Sequence, residues 1–364
     1  TSGMVETWKL GLVSQVNEDI KLRTSYSNDI RAPGVGELFT NPLISTQTVT
    51  YPPGNGQQFQ VKFASPGNPN LVPEQSFTVS GGIVLTPHWI ENLQLSFDWY
   101  SISIHKGIFS FSQNTIFDQC ANKKNPTFCS LVFFAQGINN GVAIKEVDGN
   151  GVSPGLSALV GPMTAQADGA FNLYFVSPLN ANSESTSGLD VTADYRHDLF
   201  GGSLNWHLVG NYVDQQTRTS LGVTVDGAGA VSGDGAVNPL TGFTSPKLRA
   251  TLSSTYNQDM WSFTGQARII GSARLSNQYI EGLGTTAPPA GYLGYVDDNS
   301  VPAVIYADLR ASWRWNDHIQ LYGAVDNTFN TPPPFIGTNG GGGVDCRIYD
   351  CIGRSWRFGV RFND

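Results

Sequence analysis

From Ile305 to Val325 the apolar and polar positions alternate with a period of two. Ile305, Ala307, Leu309, Ala311, Trp313 and Trp315 fall on one side, and Tyr306, Asp308, Arg310, Ser312 and Arg314 on the other. After the polar triplet Asn316, Asp317 and His318 the alternation resumes, with Ile319, Leu321, Gly323 and Val325 set against Gln320, Tyr322, Ala324 and Asp326. Two alternating runs joined by a short polar turn predict an antiparallel hairpin. Its apolar side ends in paired tryptophans beside the turn, and its polar side carries charges in mid-strand. A soluble sandwich has little use for such charges. A membrane barrel does, because its lumen is wet and its outer face meets lipid.

Most of the chain repeats this pattern. The first hairpin sets Trp8, Leu10 and Leu12 against Lys9, Gly11 and Val13, turns at Asn17, Glu18 and Asp19, and returns through Ile20, Leu22, Thr24 and Tyr26. A polar excursion follows, from about Asp29 to Val72. The third strand shows Phe77, Val79, Gly81, Ile83 and Leu85, and the fourth shows Leu93, Leu95, Phe97 and Trp99. There the apolar positions change sides, to Ile102 and Ile104, which predicts a bulge near Tyr100. After an excursion from Ser110 to Ser183, Leu189, Val191, Ala193 and Tyr195 form a fifth strand, and Leu204, Trp206, Leu208 and Tyr212 a sixth. A loop from Gln215 to Thr244 precedes the seventh and eighth strands, Leu248 to Tyr256 and Trp261 to Ile269. A loop from Ser272 to Ser300 precedes the hairpin described first. After a loop from Thr331 to Gly353, Trp356, Phe358, Val360 and Phe362 mark the last strand.

The count is about eleven strands, and the connections alternate strictly between short and long. An outer-membrane barrel has one rim of tight periplasmic turns and another of long external loops, whereas a sandwich has no reason to lengthen every second connection. Counted back from the last strand, the short turns share the C-terminal rim. An odd strand number does not close an ordinary bacterial barrel, and residue 1 begins almost on a strand pattern with no signal peptide, so N-terminal strands are expected upstream.

Composition changes the picture in three places. No run reaches the roughly 18 consecutive apolar residues of a spanning helix, which leaves strands as the means of crossing. A net charge of −8 argues against nucleic acid, which needs a basic footprint. The four cysteines fall as two close pairs on the long-loop rim, Cys120 with Cys129 and Cys346 with Cys351. No histidine is near either pair and no CxxC spacing is present, so two loop-stapling disulfides are expected rather than a zinc site, with free thiols the alternative. Disulfides imply an oxidising compartment.

Four short segments carry a resemblance. Arg31, Ala32 and Pro33, followed by Gly36, Glu37, Leu38 and Phe39, resemble the RAPxxxELF segment of TonB-dependent outer-membrane receptors. Asn68, Pro69, Asn70, Leu71, Val72, Pro73 and Glu74 are similar to that family's NPxLxPE segment. Val325 to Asn330, including Asn327 and Phe329, resemble its VxNLFD segment, with Thr328 in place of Leu and Asn330 in place of Asp. Gly353 and Arg354 before the aromatic strand resemble its last strand, although Asn363 and Asp364 follow Phe362 where the family usually ends on the aromatic. Each motif alone is weak; together they stand in the family's order and span essentially the whole chain. The resemblance implies an all-β transmembrane barrel of 22 strands around a plug, with residues 1–364 as its C-terminal half. The plug and the earlier strands would lie upstream. It also implies an importer of a scarce ligand (a ferric siderophore, a vitamin or a glycan), energised by the TonB complex through the N-terminal part. Lipid and lipopolysaccharide would surround the wall, and a surface lipoprotein over the loops stays open. No enzyme activity and no cofactor are implied.

The other motifs carry less. Gly151, Ser153 and Gly155 match GxSxG, but Pro154 lacks the N–H that a nucleophile elbow uses in its oxyanion hole. The histidines at 88, 105, 197, 207 and 318 show no metal spacing, and Asp148 with Asn150 lacks the downstream Glu of a calcium loop. Gly340 to Gly343 has no helix after it to cradle a phosphate. Neither a catalytic nor a metal site is expected. Lys9, Lys21, Arg23, Asp190, Asp194, Arg196, Lys247, Arg249, Arg268, Asp308, Arg310 and Arg314 all fall on polar sides, where wall salt bridging competes with a role in the substrate path. The substrate-path candidates are Arg268, Tyr306, Asp308 and Arg310, with the loop tyrosines Tyr279, Tyr292 and Tyr295. Tyr51, Phe59, Phe63, Phe133 and Phe134 would join those tyrosines either in an external vestibule or in packing of the loop aromatics against one another. A passive porin and a secreted all-β binding protein are the competing classes.

Overall fold

The computed structural model describes residues 5–41, 44–50, 58–111, 132–134, 171–175, 177–220, 223–231, 245–284, 292, 294–336 and 343–362. Its frame is one antiparallel meander: β1 Trp8–Gln15, β2 Ile20–Arg31, β3 Glu74–Leu85, β4 Leu93–Phe109, β5 Leu179–Leu199, β6 Gly202–Ser220, β7 Leu248–Gln258, β8 Trp261–Ile270, β9 Val304–Arg314, β10 Ile319–Asp326 and β11 Ser355–Phe362. Each pairs with its sequence neighbours, and a short strand, Val223–Asp226, doubles back on β6. Eleven strands and alternating short and long connections are thus what the periodicity predicted.

The register keeps every apolar side in line. Leu22 pairs with Ile83, Ile83 with Phe97, and Phe97 with Val191. At the other end Trp261 pairs with Trp313, Trp313 with Leu321, and Leu321 with Val360. Slipping one strand by one residue would put charges into this apolar face, so the alternation itself fixes the register. The face is open in the isolated chain: Leu309 is 51% and Phe358 76% exposed. A soluble protein does not leave a contiguous surface of this kind to water, but lipid covers it without cost. Near the short-turn rim Trp261 stacks on Trp313 and Trp313 on Trp315, at centroid distances of 5.3 and 6.4 Å. A groove of about 410 Å³ along Phe263, Gly265, Leu309, Ala311, Gly323 and Phe358 lies on the same lipid face.

The tight turns are built by local chemistry. Asn17 and Asn316 each accept a backbone N–H two residues on, at 2.9 Å, and so fold their triplets into Asx turns. Phe200 and Gly201 both have positive φ, the conformation that a two-residue turn between twisted strands requires.

Two expectations need correction. The bulge lies not at Tyr100 but at Lys106, which has φ +57°, with the β4–β5 register shifting between Ile104 and Gly107. Tyr100, Ile102 and Ile104 keep their inward parity. The apolar side changes because the outward positions Ser101, Ser103 and His105 no longer face hydrocarbon. Strands also run further into the long loops than periodicity suggested. β5 has 21 and β6 has 19 residues, where about 9–11 cross a bilayer. Beyond the lipid the hydrogen-bond ladder continues while the reason to alternate disappears. The excursion after β2 likewise holds a helix, α1 Val35–Phe39, too short to show a period.

Candidate functional site

Several charges of the polar face are paired across nearby strands. Arg23, Gly82 and Asp98 stand in register on β2, β3 and β4. Arg23 reaches over Gly82 to donate to both oxygens of Asp98, at 2.6 and 2.5 Å. A Cβ on Gly82 would lie 2.0 Å from the Asp98 carboxylate, so this pairing requires glycine in the strand between. His207 lies 2.6 Å from Asp194, and Asn211 donates to Asp190 at 2.6 Å. Arg310 donates to Gln266 at 3.3 Å and lies 3.9 Å from Asp326, which also accepts from Arg357.

At the long-loop end of β8 and β9 the wall thickens into the one described apolar cluster. Ile270 and Val304 from the strand ends, Ala273, Val301 and Val231 from nearby segments, and Ile336 and Tyr349 from the loop before β11 pack around Tyr306, which is 1% exposed. Beneath it, Arg268 donates to Asp308 at 2.8 and 3.1 Å and to Asp350 at 3.0 Å, with its guanidinium 5.1 Å from the centre of the Tyr306 ring. Asp308 also accepts the Asn327 N–H at 2.8 Å, and the Tyr306 hydroxyl accepts the Asp350 N–H at 3.2 Å. Asn327, fully buried at φ +48°, closes the corner after β10 through two hydrogen bonds with the Thr331 backbone. Cys346 and Cys351 form the disulfide that closes this loop. Burial pushes the Asp350 carboxyl up, but hydrogen bonds from Arg268 and from the N–H groups of Ile352 and Gly353 outweigh it and hold the group below its ordinary value.

At the long-loop end of β2 and β3 a second arginine is held the same way. Arg31 donates to Glu74 at 2.8 and 2.7 Å and to Glu37 at 3.1 Å. Glu37 accepts the Gly34 N–H at 2.7 Å and so caps α1, while the Asn68 N–H donates to the Glu37 carbonyl at 2.8 Å. Glu74 accepts the Ile108 N–H at 2.6 Å, and the Asn68 amide donates to the Pro178 carbonyl at 2.9 Å. Two motifs more than 30 residues apart therefore form one knot. Pro33 is buried within it; Ala32 and Phe39 remain exposed, and Leu38 is half-buried. Pro69 and Pro73 carry the chain from the knot into β3.

Of the substrate-path candidates, the structure brings Arg268, Tyr306 and Asp308 together, with Arg310 two residues further along β9. Tyr279 and Tyr295 belong to a small parallel ladder in the loop between β8 and β9, with Ile280 opposite Tyr295, and Tyr292 is exposed. Asn299, 2% exposed, holds this loop by bonding the Ser276 N–H and carbonyl at 3.1 and 2.9 Å. Asp350, Tyr349 and Asn299 were not singled out from sequence. The only signal for Asp350 is its place beside a cysteine that staples the loop. Cys120, Cys129, Tyr51, the GxSxG segment, Asp148 and Asn150 lie outside the described residues, as do the side chains of Phe59, Phe63, Phe133 and Phe134.

An antiparallel meander with one lipid-facing and one charged side defines the wall of a membrane-spanning β-barrel. Residues 1–327 match the family model described as TonB dependent receptor-like, beta-barrel, and the chain belongs to that family of Gram-negative outer-membrane proteins. A variant of the ferric enterobactin receptor PfeA of Pseudomonas aeruginosa superposes with a TM-score of 0.58 at 14% identity, over 97% of this chain and 39% of that one. The siderophore receptor PirA of Acinetobacter baumannii gives 0.56 at 14% identity, over 98% of this chain and 40% of that one. The chain thus spans about two fifths of the length of these structures. No curated protein sequence matches it.

Proposed function

We propose that residues 1–364 are the C-terminal part of the barrel of a receptor that takes up a scarce ligand across the outer membrane at the expense of energy relayed by TonB. The observation that carries this reading is the family match over a sheet that runs unbroken from β1 to β11. A lumen lined by the polar side of that sheet suits a polar passage, and the external clamps hold loops over its mouth. PfeA and PirA are named for ferric enterobactin and for siderophores, which makes a ferric chelate the first ligand to test. Coupling to TonB and the plug belong to the N-terminal part. Lipid and lipopolysaccharide are the partners of the apolar face, and no chemical step is assigned to any residue.

The test is uptake by cells carrying the full-length receptor, with labelled ferric enterobactin at the head of a panel of ferric chelates and vitamins. The expected result is accumulation of at least one panel member that disappears when TonB is deleted. Entry at the same rate without TonB would favour a passive porin and overturn the reading.

A further inference from the structure

The groove on the lipid face of β8 to β11 is built by the strand register. Phe263, Ala311, Gly323 and Phe358 lie in one row across the four strands, and Gly265, Leu309, Val325 and Trp356 in the next. Gly265, Ala311 and Gly323 therefore make a low floor. Phe263 and Phe358 stand at its two sides, and Leu309 and Val325 along the edge away from the short turns. The hollow of about 410 Å³ is at the small end of ligand pockets, which run from roughly 300 to 1,000 Å³.

Glycine inside a strand weakens it, and it recurs where a bulge forms or where a ligand comes close to the backbone. No register shift accompanies Gly265 or Gly323, so neither marks a bulge. Several lumen glycines are covered by a neighbour: Asp98 lies over Gly82, Tyr100 over Gly188 and Tyr322 over Gly359. At Gly265 a Cβ would meet only the Leu309 Cδ2 within van der Waals reach, at 3.9 Å, so its outer side is open.

Position and charge say what fills the hollow. It is continuous with the lipid-facing surface, and Trp313 stands two residues from Ala311 toward the short turns, about 7 Å along the strand. Tryptophans at that level mark the headgroup region, so an acyl chain descending from it passes over the floor. The turns just beyond carry Asp259 and Asp317, both exposed and without a salt bridge among the described residues. Arg314 and Arg361, at the same level, are on the lumen side of their strands. An ammonium group suits this rim, and an anionic headgroup does not.

We propose that the groove binds one acyl chain of a phospholipid, in the leaflet on the short-turn side, whose ammonium headgroup lies beside Asp259 and Asp317. Trp261 and Trp315, 45% and 59% exposed, present indole N–H donors at the level of its phosphate. The site needs only the barrel wall and stands apart from what the lumen admits.

The test gives delipidated full-length receptor in detergent phosphatidylethanolamine and phosphatidylglycerol with identical chains, read by native mass spectrometry. The parent is expected to retain one phosphatidylethanolamine about fivefold over phosphatidylglycerol, and Asp259→Asn with Asp317→Asn to remove that preference. Gly265→Leu, which fills the floor, is expected to lower retention about tenfold. Gly210→Leu, at another open glycine on the lipid side of β6, is expected to leave it unchanged. Phosphatidylethanolamine with a photoactivatable acyl chain is expected to label peptides of β8 to β10 in the parent, which asks no variant to fold. Equal retention of the two lipids by the parent, or equal effects of Gly265→Leu and Gly210→Leu, would overturn the proposal. So would labelling spread evenly around the lipid face. A dimer that Gly265→Leu dissolves would assign the groove to a second copy of the chain and overturn it as well.

Discussion

Arg31 and Arg268 each hold two carboxylates, one from a strand and one from an external loop, near opposite ends of the wall. Arg31 joins Glu74 to Glu37; Arg268 joins Asp308 to Asp350. The surroundings differ. The Arg31 side chain is 49% exposed, and the knot around it is tied by backbone hydrogen bonds and a capped turn of helix. At the other clamp the Asp308 side chain is 3% exposed, the apolar cluster around Tyr306 adjoins it, and Asp350 comes from a loop closed by a disulfide. The same pairing therefore has different weight: water screens the first, whereas breaking the second strands a buried charge. The first positions a loop, and the second is part of the protein's external core.

Four substitutions or conditions break this contrast if it is wrong. Tyr306→Ala empties the centre of the external cluster and is expected to cost about 3–5 kcal/mol, read from denaturant unfolding of the full-length receptor in detergent. Asp308→Ala leaves Arg268 half-matched and the Asn327 N–H unpaired. The expected loss is about 2–3 kcal/mol, below that of a fully buried pair because Arg268 keeps some solvent. A loss near zero at Asp308 would mean that the second clamp is as dispensable as an exposed one.

Acid gives a milder effect on the same clamp. The folded Asp350 carboxyl titrates below its ordinary value of 3.8, so its contribution is complete above that value and is lost as pH falls through the folded one. Amide exchange at Ile352 and Gly353, corrected for its intrinsic pH dependence, is expected to lose protection over that acid range. Asp350→Asn is expected to have lost it already at neutral pH and to show no such transition. Arg31→Gln is the smallest change, expected to cost less than about 1 kcal/mol while raising exchange in α1. A global loss as large as that of Asp308→Ala would erase the distinction between the clamps.

The two clamps were not equally legible in the sequence. Arg31, Glu37, Asn68 and Glu74 lie in recognisable motifs, so the knot's members were visible, although their meeting was not. Arg268, Tyr306 and Asp308 were visible as inward positions of alternating strands, because lipid on one side of a strand enforces the period. Asp350 and Tyr349 come from a loop with no period, so nothing local marks the side chains that complete the cluster. The bulge was misplaced for a related reason. Ile102 and Ile104 break the apolar pattern where the membrane ends, and a change of solvent imitates a change of register.

In this barrel wall β9 separates lipid from a wet lumen residue by residue. Nitroxide labels placed singly from 304 to 314 in the full-length receptor, reconstituted in bilayers, test it most directly. Oxygen accessibility is expected to peak at odd positions such as Leu309 and Ala311, and contact with a water-soluble nickel chelate at even positions such as Arg310 and Ser312. Uniform accessibility, or the opposite phase, would contradict the barrel wall and every assignment that depends on it.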